Sequence, residues 1–465
     1  MITQDMYTVT KQQIRNCYAK IEVLNQQLIV VDNFTGIFTD GSISIDANSD
    51  IRRTCNISLV VTDSSFEIKP SGKIWLDKYI KIYTGIDNIQ TGKTTWFNHG
   101  IFLINAPSWN YNGSNNTVSF QGLDLMSKLT GLRNGNLQGL PVIIPQGSNV
   151  RDTVISILTQ FTDFTKYSIS EYEIATPYEI RIDIGGTVYD ILKQLSDILP
   201  NWQIYFDING IFHLNKIPTG DNEPIMVDDD IWKISTLNEQ VNVDFENVKN
   251  VIEVWGKSLK PAHFGEAVLE GQTYNVSMAG VTELKNNLLY GFTIKQNTDS
   301  PYLKINDLPS YPIVEEQEQL FRFPQDTGYY IVRYENEKFI FVGFQRPYAI
   351  AKDLNPNSPF YIHGALGEIR KVYHNGEFNN IMSNSLCQQR ADWELYKATN
   401  LQDNLTLTTI PVYWLDVNWL VQYTNKDKHT YRYLIKSINI DLKVGGTQTI
   451  TMNRYYPYYD YMDKN

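Results

Sequence analysis

The sequence predicts a mainly β protein with an α+β insert: two antiparallel β-barrel domains, a small α/β module and an inserted β-rich domain. Three observations lead there. Only 20% of the 465 residues are charged, and the remaining polarity is carried by Asn, Thr, Ser and Gln beside 30 Tyr, 20 Phe and 9 Trp. That mixture suits strands and turns better than long solvent-facing helices. Short apolar runs, many alternating, recur toward both ends of the chain, the period of half-buried strands. A Trp-Leu-Asp tripeptide followed by the same order of strands occurs twice, at Trp75 and at Trp414. At roughly 100–200 residues per domain, this length accommodates about two to four domains, each large enough to bury a core.

Residues 1–20 are polar and read as an N-terminal arm. No apolar run approaches the ~18–20 residues of a membrane span, so neither signal peptide nor anchor is expected. Residues 21–146 form the first barrel, with strands such as Ile57–Val61, Tyr79–Tyr83 and Ile101–Ile104 separated by Gly and Asn clusters. Strands at this spacing without helices between them call for a closed barrel or sandwich, because an open sheet leaves adhesive edges. Leu123–Leu132 reads as a short helix ending near Gly131.

Residues 147–220 change period and form the α/β module. Val150, Val154, Ile157, Leu158 and Phe161 share a helical face, with Ser148 or Asn149 placed to cap it. Thr187 and Asp190 have capping-box spacing ahead of Val188, Ile191, Leu192, Leu195 and Leu199, and Pro200 stops that helix. A hairpin follows, Trp202–Phe206 and Ile211–Leu214, around Asn209-Gly210.

A break at Pro218, Gly220, Pro224 and Asp228-Asp229-Asp230 opens residues 221–260, the first part of a second barrel, which includes the strand Val248–Trp255. Residues 261–377, interrupted by Pro301, Pro309, Pro312, Pro324 and Pro347, read as the inserted β-rich domain. Its strands include Tyr329–Val332 and Phe339–Val342. Residues 378–456 complete the second barrel with a helix, Phe378–Thr399, and strands from Leu405 to Met452. Residues 457–465 end the chain in a Tyr-rich tail.

The duplication is the most informative feature. Trp75-Leu76-Asp77 and the strand Tyr79–Thr84 correspond to Trp414-Leu415-Asp416 and the strand through Thr424. Phe102-Leu103-Ile104 and Thr117-Val118-Ser119-Phe120 correspond to Tyr433-Leu434-Ile435 and Thr449-Ile450-Thr451-Met452. Two related barrels per chain let a three-fold ring present six alternating barrels, so that a trimer can stack on a hexamer.

Forty basic against 51 acidic residues give a net charge of -11, which argues against a surface that gathers nucleic acid by counterion release. Three well-separated cysteines, Cys17, Cys55 and Cys387, suggest neither a disulfide framework nor a zinc site, and fit a reducing cytoplasm. The histidines show no metal-ligand spacing, Asp228-Asp229-Asp230 reads as a solvated acidic turn, and Gly185-Gly186 simply starts a helix. The carboxylate pairs Glu315 with Glu316 and Asp77 with Asp416 are the candidates for glycosidase acids, which must flank the sugar bond. The latter pair occupies matching repeat positions, which points to a structural role such as accepting backbone N–H groups at a strand start. No catalytic residue, cofactor or metal ligand is therefore assigned. Tyr455, Tyr456, Tyr458 and Tyr459 are the candidate partner-binding residues, since Tyr joins an apolar ring to a hydroxyl. They either dock on a neighbouring subunit or partner, or pack on their own barrel.

Four stretches together resemble a known family. They are Arg52–Leu59 leading to Lys78–Gly85, Gly100–Ile104 with Val118–Leu125, the α/β module ending in Ile211–Leu214, and Glu394–Lys397 through Thr406–Pro411 to Trp414–Asn418. The chain resembles the baseplate hub, or tail-associated central protein, of tailed phages and phage-like contractile particles. The resemblance implies tube-like barrels and a homotrimeric hub at the tail tip of the virion, made in the host cytoplasm. It also implies a tail tube or distal tail protein on one face, a spike or central fibre protein on the other, and DNA passing through without specific binding. Acidity suits such a conduit, because a negative wall does not hold a sliding polyanion. The rival expectation is a β-rich protein that binds or hydrolyses cell-wall glycan, with 261–377 as its site.

Overall fold

Alternation of Ile, Val and Leu with Ser, Thr and Asn builds strands with one apolar and one polar face, and these dominate the chain. The computed structural model describes residues 2–34, 38–70, 72–139, 141–218, 225–227, 229–315, 321–343, 346–399, 402–443 and 445–454. The chain divides into two compact units, one of Met1–Asn247 with Asn400–Pro457, the other holding Val248–Thr399.

The first unit is organised by a twelve-stranded sheet. Its strands are β1 (Cys17–Leu24), β2 (Val30–Asn33), β3 (Phe38–Asp46), β4 (Arg53–Val60), β5 (Tyr79–Asp87), β6 (Thr94–Tyr111) and β7 (Asn116–Leu123). From the later part of the unit come β8 (Thr236–Asp244), β9 (Gln402–Thr409), β10 (Leu420–Thr424), β11 (Thr430–Asp441) and β12 (Gln448–Arg454). The strand order is β8-β9-β12-β11-β3-β4-β7-β6-β5-β1-β2, with β10 on β11.

The repeat seen in sequence is a repeat of topology. In the first copy β3 pairs with β4, β4 with β7, β7 with β6 and β6 with β5. In the second copy β8, β9, β12, β11 and β10 pair in the same order. Even the register irregularity recurs, between Asn105 and Ser108 in β6 and between Ile435 and Ser437 in β11. The two copies are not separate sheets. Because β10 covers β11 only as far as Leu434, residues 437–441 of β11 are free to pair with β3, placing Ile438 opposite Ile45 and Ile440 opposite Ile43. The buried faces of both copies, including Ile43, Ile57, Leu59, Phe120, Leu407, Ile438, Ile450 and Met452, make one apolar cluster.

Helix α1 (Gln4–Thr10) lies within the expected arm, capped by Thr3. Tyr7 packs on the Trp414 ring, and Trp414 Nε1 donates to Thr10 Oγ1 at 3.1 Å. In the α/β module, Asn149 caps α2 (Val150–Phe161) and the Thr187–Asp190 capping box starts α3 (Val188–Asp197). The module begins slightly before residue 147, since Val142–Ile144 pairs with Ile180–Ile182. The expected hairpin forms, with Gly210 at φ +75° and Asp207 accepting the N–H groups of Asn209 and Ile211. The helix expected over Leu123–Leu132 is only a 3-10 turn, Leu125–Lys128, capped by Asp124. Gly131 and Gly135, both at positive φ, turn the chain away before a second turn can form.

The second unit holds a closed barrel. Its seven strands run His263–Glu270, Thr273–Val276, Tyr302–Ile305, Tyr311–Val314, Lys338–Gly343, Gly328–Glu335 and Leu289–Ile294 around the barrel. Its core is aromatic, with Tyr274, Phe292, Phe323 and Tyr330 in ring contact and Phe339 against Tyr290 in the same cluster. The same unit has a three-stranded sheet of Tyr348–Lys352, Val251–Trp255 and Arg370–Tyr373. It is covered by α5 (Asn384–Ala398), the fourth helix, Asp229–Ser235, being α4. Here the structure departs from the expected boundaries. Residues 248–260 and 378–399 lie in the second unit, because Val251–Trp255 is paired on both sides by strands from 348–373 and Cys387, Ala391 and Leu395 pack on it. The helix starts after Ser383, which caps it, so Ile381 precedes it. No helix among the described residues is long and apolar enough to cross a membrane.

Candidate functional site

The face of the twelve-stranded sheet opposite its apolar core is the candidate site. Side chains alternate across a pleated sheet, so residues flanking the buried ones must share the other face. Following the register from strand to strand, Asn238, Thr408, Thr449, Asn439, Ser44 and Thr54 form one continuous row. Gln240, Thr406, Thr451, Ser437 and Asp46 form the next. A third runs through Asp441, Ser42, Asn56, Gln121 and Asn105. These rows contain no lysine or arginine, and their charges are the carboxylates of Asp46 and Asp441. The face is hollowed where Asp40, Ser42, Asn56, Ser119 and Gln121 meet Asp441 and Lys443. These rows exchange hydrogen bonds with water and offer a phosphate no cation of their own, Lys443 standing at the hollow and Lys20 and Lys81 farther along the sheet on β1 and β5, so the rows themselves can bind a polyanion only weakly.

Behind this face a buried polar cluster fastens the sheet to the α/β module. Arg53 is 1% exposed. Its Nη1 donates to the carbonyl of Phe206 at 2.7 Å, and its Nη2 forms an ion pair with Asp416. Its backbone N–H donates to Asp124 Oδ2 at 2.9 Å. Arg52 stacks over Tyr205, 3.9 Å from the ring centroid, and donates to Gln203 Oε1, which also accepts from Asn418 Nδ2. Burial pushes the Arg52 guanidinium down to about 10, while the nearby Asp416 carboxylate acts in the opposite direction. Burial likewise raises the Asp124 carboxyl to about 6 against the backbone N–H donors of Arg53 and Met126. His99, on β6, is held neutral, its pKa lowered to about 3 by burial and by Arg53, with Thr84 Oγ1 2.7 Å from Nε2.

The residues singled out from sequence fall into place unevenly. Asp416 accepts the Val417 N–H as well as Arg53, a structural role, whereas Asp77 pairs with Lys78 at 2.6 Å. Asp229 and Asp230 open α4 rather than a turn. Asp229 accepts the Thr424 N–H, and both pair with Lys233; Asp228 lies outside the described residues. Glu316 also lies outside them, as do Tyr455, Tyr456, Tyr458 and Tyr459. Cys17, Cys55 and Cys387 form no disulfide, and the last two are buried. Among the described residues no group of three or more His, Cys, Asp or Glu could hold a metal ion. The polar rows and the Arg53–Asp416 pair escaped the sequence reading. The one trace of the rows was the run of alternating Ser, Thr and Asn, and the Arg53–Asp416 pair spans 363 positions.

The fold of the chain is similar to that of solved tail proteins. Over 94% of its length the chain matches the 43 kDa tail protein of prophage MuSo2 from Shewanella oneidensis, covering 98% of that chain with a TM-score of 0.53 and 11% identity. Over 95% it matches the tail protein from Neisseria meningitidis MC58, covering 98% of that chain with a TM-score of 0.50 and 10% identity. At such identities the likeness is one of fold. By sequence, residues 357–459 match the family described as "Domain of unknown function (DUF5048)". No curated protein sequence matches significantly.

Proposed function

We propose that this chain is a structural protein of a phage or phage-like tail tip. In this reading it assembles as a homotrimeric hub between the tail tube or distal tail protein and the spike or central fibre, and carries out no catalytic step. The polar rows of the duplicated sheet, which hold no lysine or arginine, are the observation that carries the proposal. A conduit for DNA must be wetted yet must not retain phosphates. A lysine-lined wall would trap the polyanion by releasing its counterions, and Ser, Thr, Asn and Gln avoid this. The net charge of -11 acts in the same sense. Tyr455, Tyr456, Tyr458 and Tyr459 are proposed to contribute to assembly, so deleting residues 455–465 should weaken it.

The proposal is tested by putting cations on the face. In particles carrying Ser42→Lys, Asn56→Lys and Gln121→Lys together, assembly should be normal, while DNA release slows and recovers with added salt. Unchanged release from such particles would remove the DNA-facing assignment.

A further inference from the structure

The two copies of the repeat differ in one respect that points outside the chain. In the second copy, Ser437–Asp441 of β11 is paired on one side by β12 and on the other by β3. The equivalent segment of the first copy is Ser108–Tyr111 of β6. It follows the same irregularity and lies opposite Asn116–Ser119 of β7 as Ser437–Ile440 lies opposite Gln448–Thr451 of β12. Ser108–Tyr111 pairs with β7 alone among the described strands. The equivalent of β3 is β8, which ends the sheet with β9 as its only strand partner among the described strands. One chain therefore has two open edges that are, by internal repetition, the two halves of a junction it already makes once.

The side chains agree. At the internal junction Ile438 and Ile440 meet Ile45 and Ile43, and all are at most 3% exposed. Their counterparts on the open edges are large and bare: Trp109 is 57% exposed, Tyr111 69%, Val243 43% and Phe245 76%. Neither Ser108–Tyr111 nor Thr236–Asp244 contains the Lys, Arg or Pro that usually guards an edge strand.

We infer that these edges pair between copies of this chain: Ser108–Tyr111 of one copy lies antiparallel to Val243–Phe245 of the next, with Tyr111 opposite Val243 and Trp109 opposite Phe245. This register is the internal one, β11 on β3, carried over strand by strand. The contact is head-to-tail, so it closes only as a ring, and it rests on the trimeric reading proposed above. Closure continues the polar rows across each subunit boundary.

The test uses the full-length chain with Cys17→Ser, since Cys17 is the exposed native thiol. Trp109→Cys and Phe245→Cys are combined and treated with a short bis-maleimide, and Asn110→Cys with Phe245→Cys serves as the opposite-face control. Cross-strand neighbours have adjacent Cβ atoms, so the first pair should give covalent dimers and trimers at more than about ten-fold the control yield. Hydrogen exchange on the unsubstituted chain should show protection at Ser108–Tyr111 and Val243–Phe245 on assembly. A trimer with neither crosslink nor protection overturns this pairing and leaves the trimeric hub standing. A chain that stays monomeric overturns both.

Discussion

Arg53 shows how single residues hold this molecule together. Its guanidinium is enclosed by the sheet and the module, with Nη1 held by the Phe206 carbonyl and Nη2 by Asp416. Removing one partner of a buried pair leaves an uncompensated charge. Asp416 is 25% exposed by side chain, so Asp416→Ala should cost about 3 kcal/mol, at the lower end for such pairs, read as a lowered denaturant midpoint. Two neighbours give opposite pH dependences. His99 is neutral when folded, with its pKa near 3, so the unfolded chain binds the extra proton as pH falls below about 6.5 and stability is lost. Between pH 7 and pH 5 that loss is about 2 kcal/mol. Asp124 runs the other way: its folded pKa of about 6 lies above the unfolded value, so the folded chain takes up the proton first. Stability is gained as pH falls, by about 1 kcal/mol over the same interval. Chemical denaturation at both pH values should show His99→Gln losing less stability than the parent on acidification, and Asp124→Asn losing more. Equal pH slopes in all three proteins would remove this account of the cluster.

At the level of elements, equivalent strands of the two copies should answer the same mutation differently. Ile438→Ala opens a cavity in a packed junction and should cost about 2–4 kcal/mol in the isolated chain. Trp109→Ala, at the matching position of β6, should cost less than about 0.5 kcal/mol there, the usual effect of an exposed site, and should instead impair assembly. Thermal unfolding at low concentration, set beside sedimentation at high concentration, separates the two. Local chemistry made some elements legible in the sequence: α2 and α3 through their apolar spacing and caps, the hairpin through Asn209-Gly210, and the repeat through Trp75 and Trp414. Pairings between distant segments were not legible. β8 meets β9 across the whole second unit, so nothing local to Thr236–Asp244 names Gln402–Thr409 as its partner. For the same reason Val251–Trp255 read as part of a second barrel, since its hydrophobicity identifies a strand but not its neighbours. The polar rows became a surface only when the register placed Asn56 beside Gln121 and Ser42.

For the whole molecule, we propose that one duplicated sheet, one polar face and two open edges together make a ring that would let DNA pass. Net acidity then ceases to be only a reason against nucleic-acid binding. With cationic side chains absent from the polar rows, it becomes a condition for passage. The central claim is the ring. It is tested most directly by determining the mass and projected shape of the full-length chain at micromolar concentration, by sedimentation with negative-stain microscopy. The account predicts particles of three times the 53.6 kDa chain mass with a central channel. A monomer at every concentration, or a closed dimer without a channel, would contradict it.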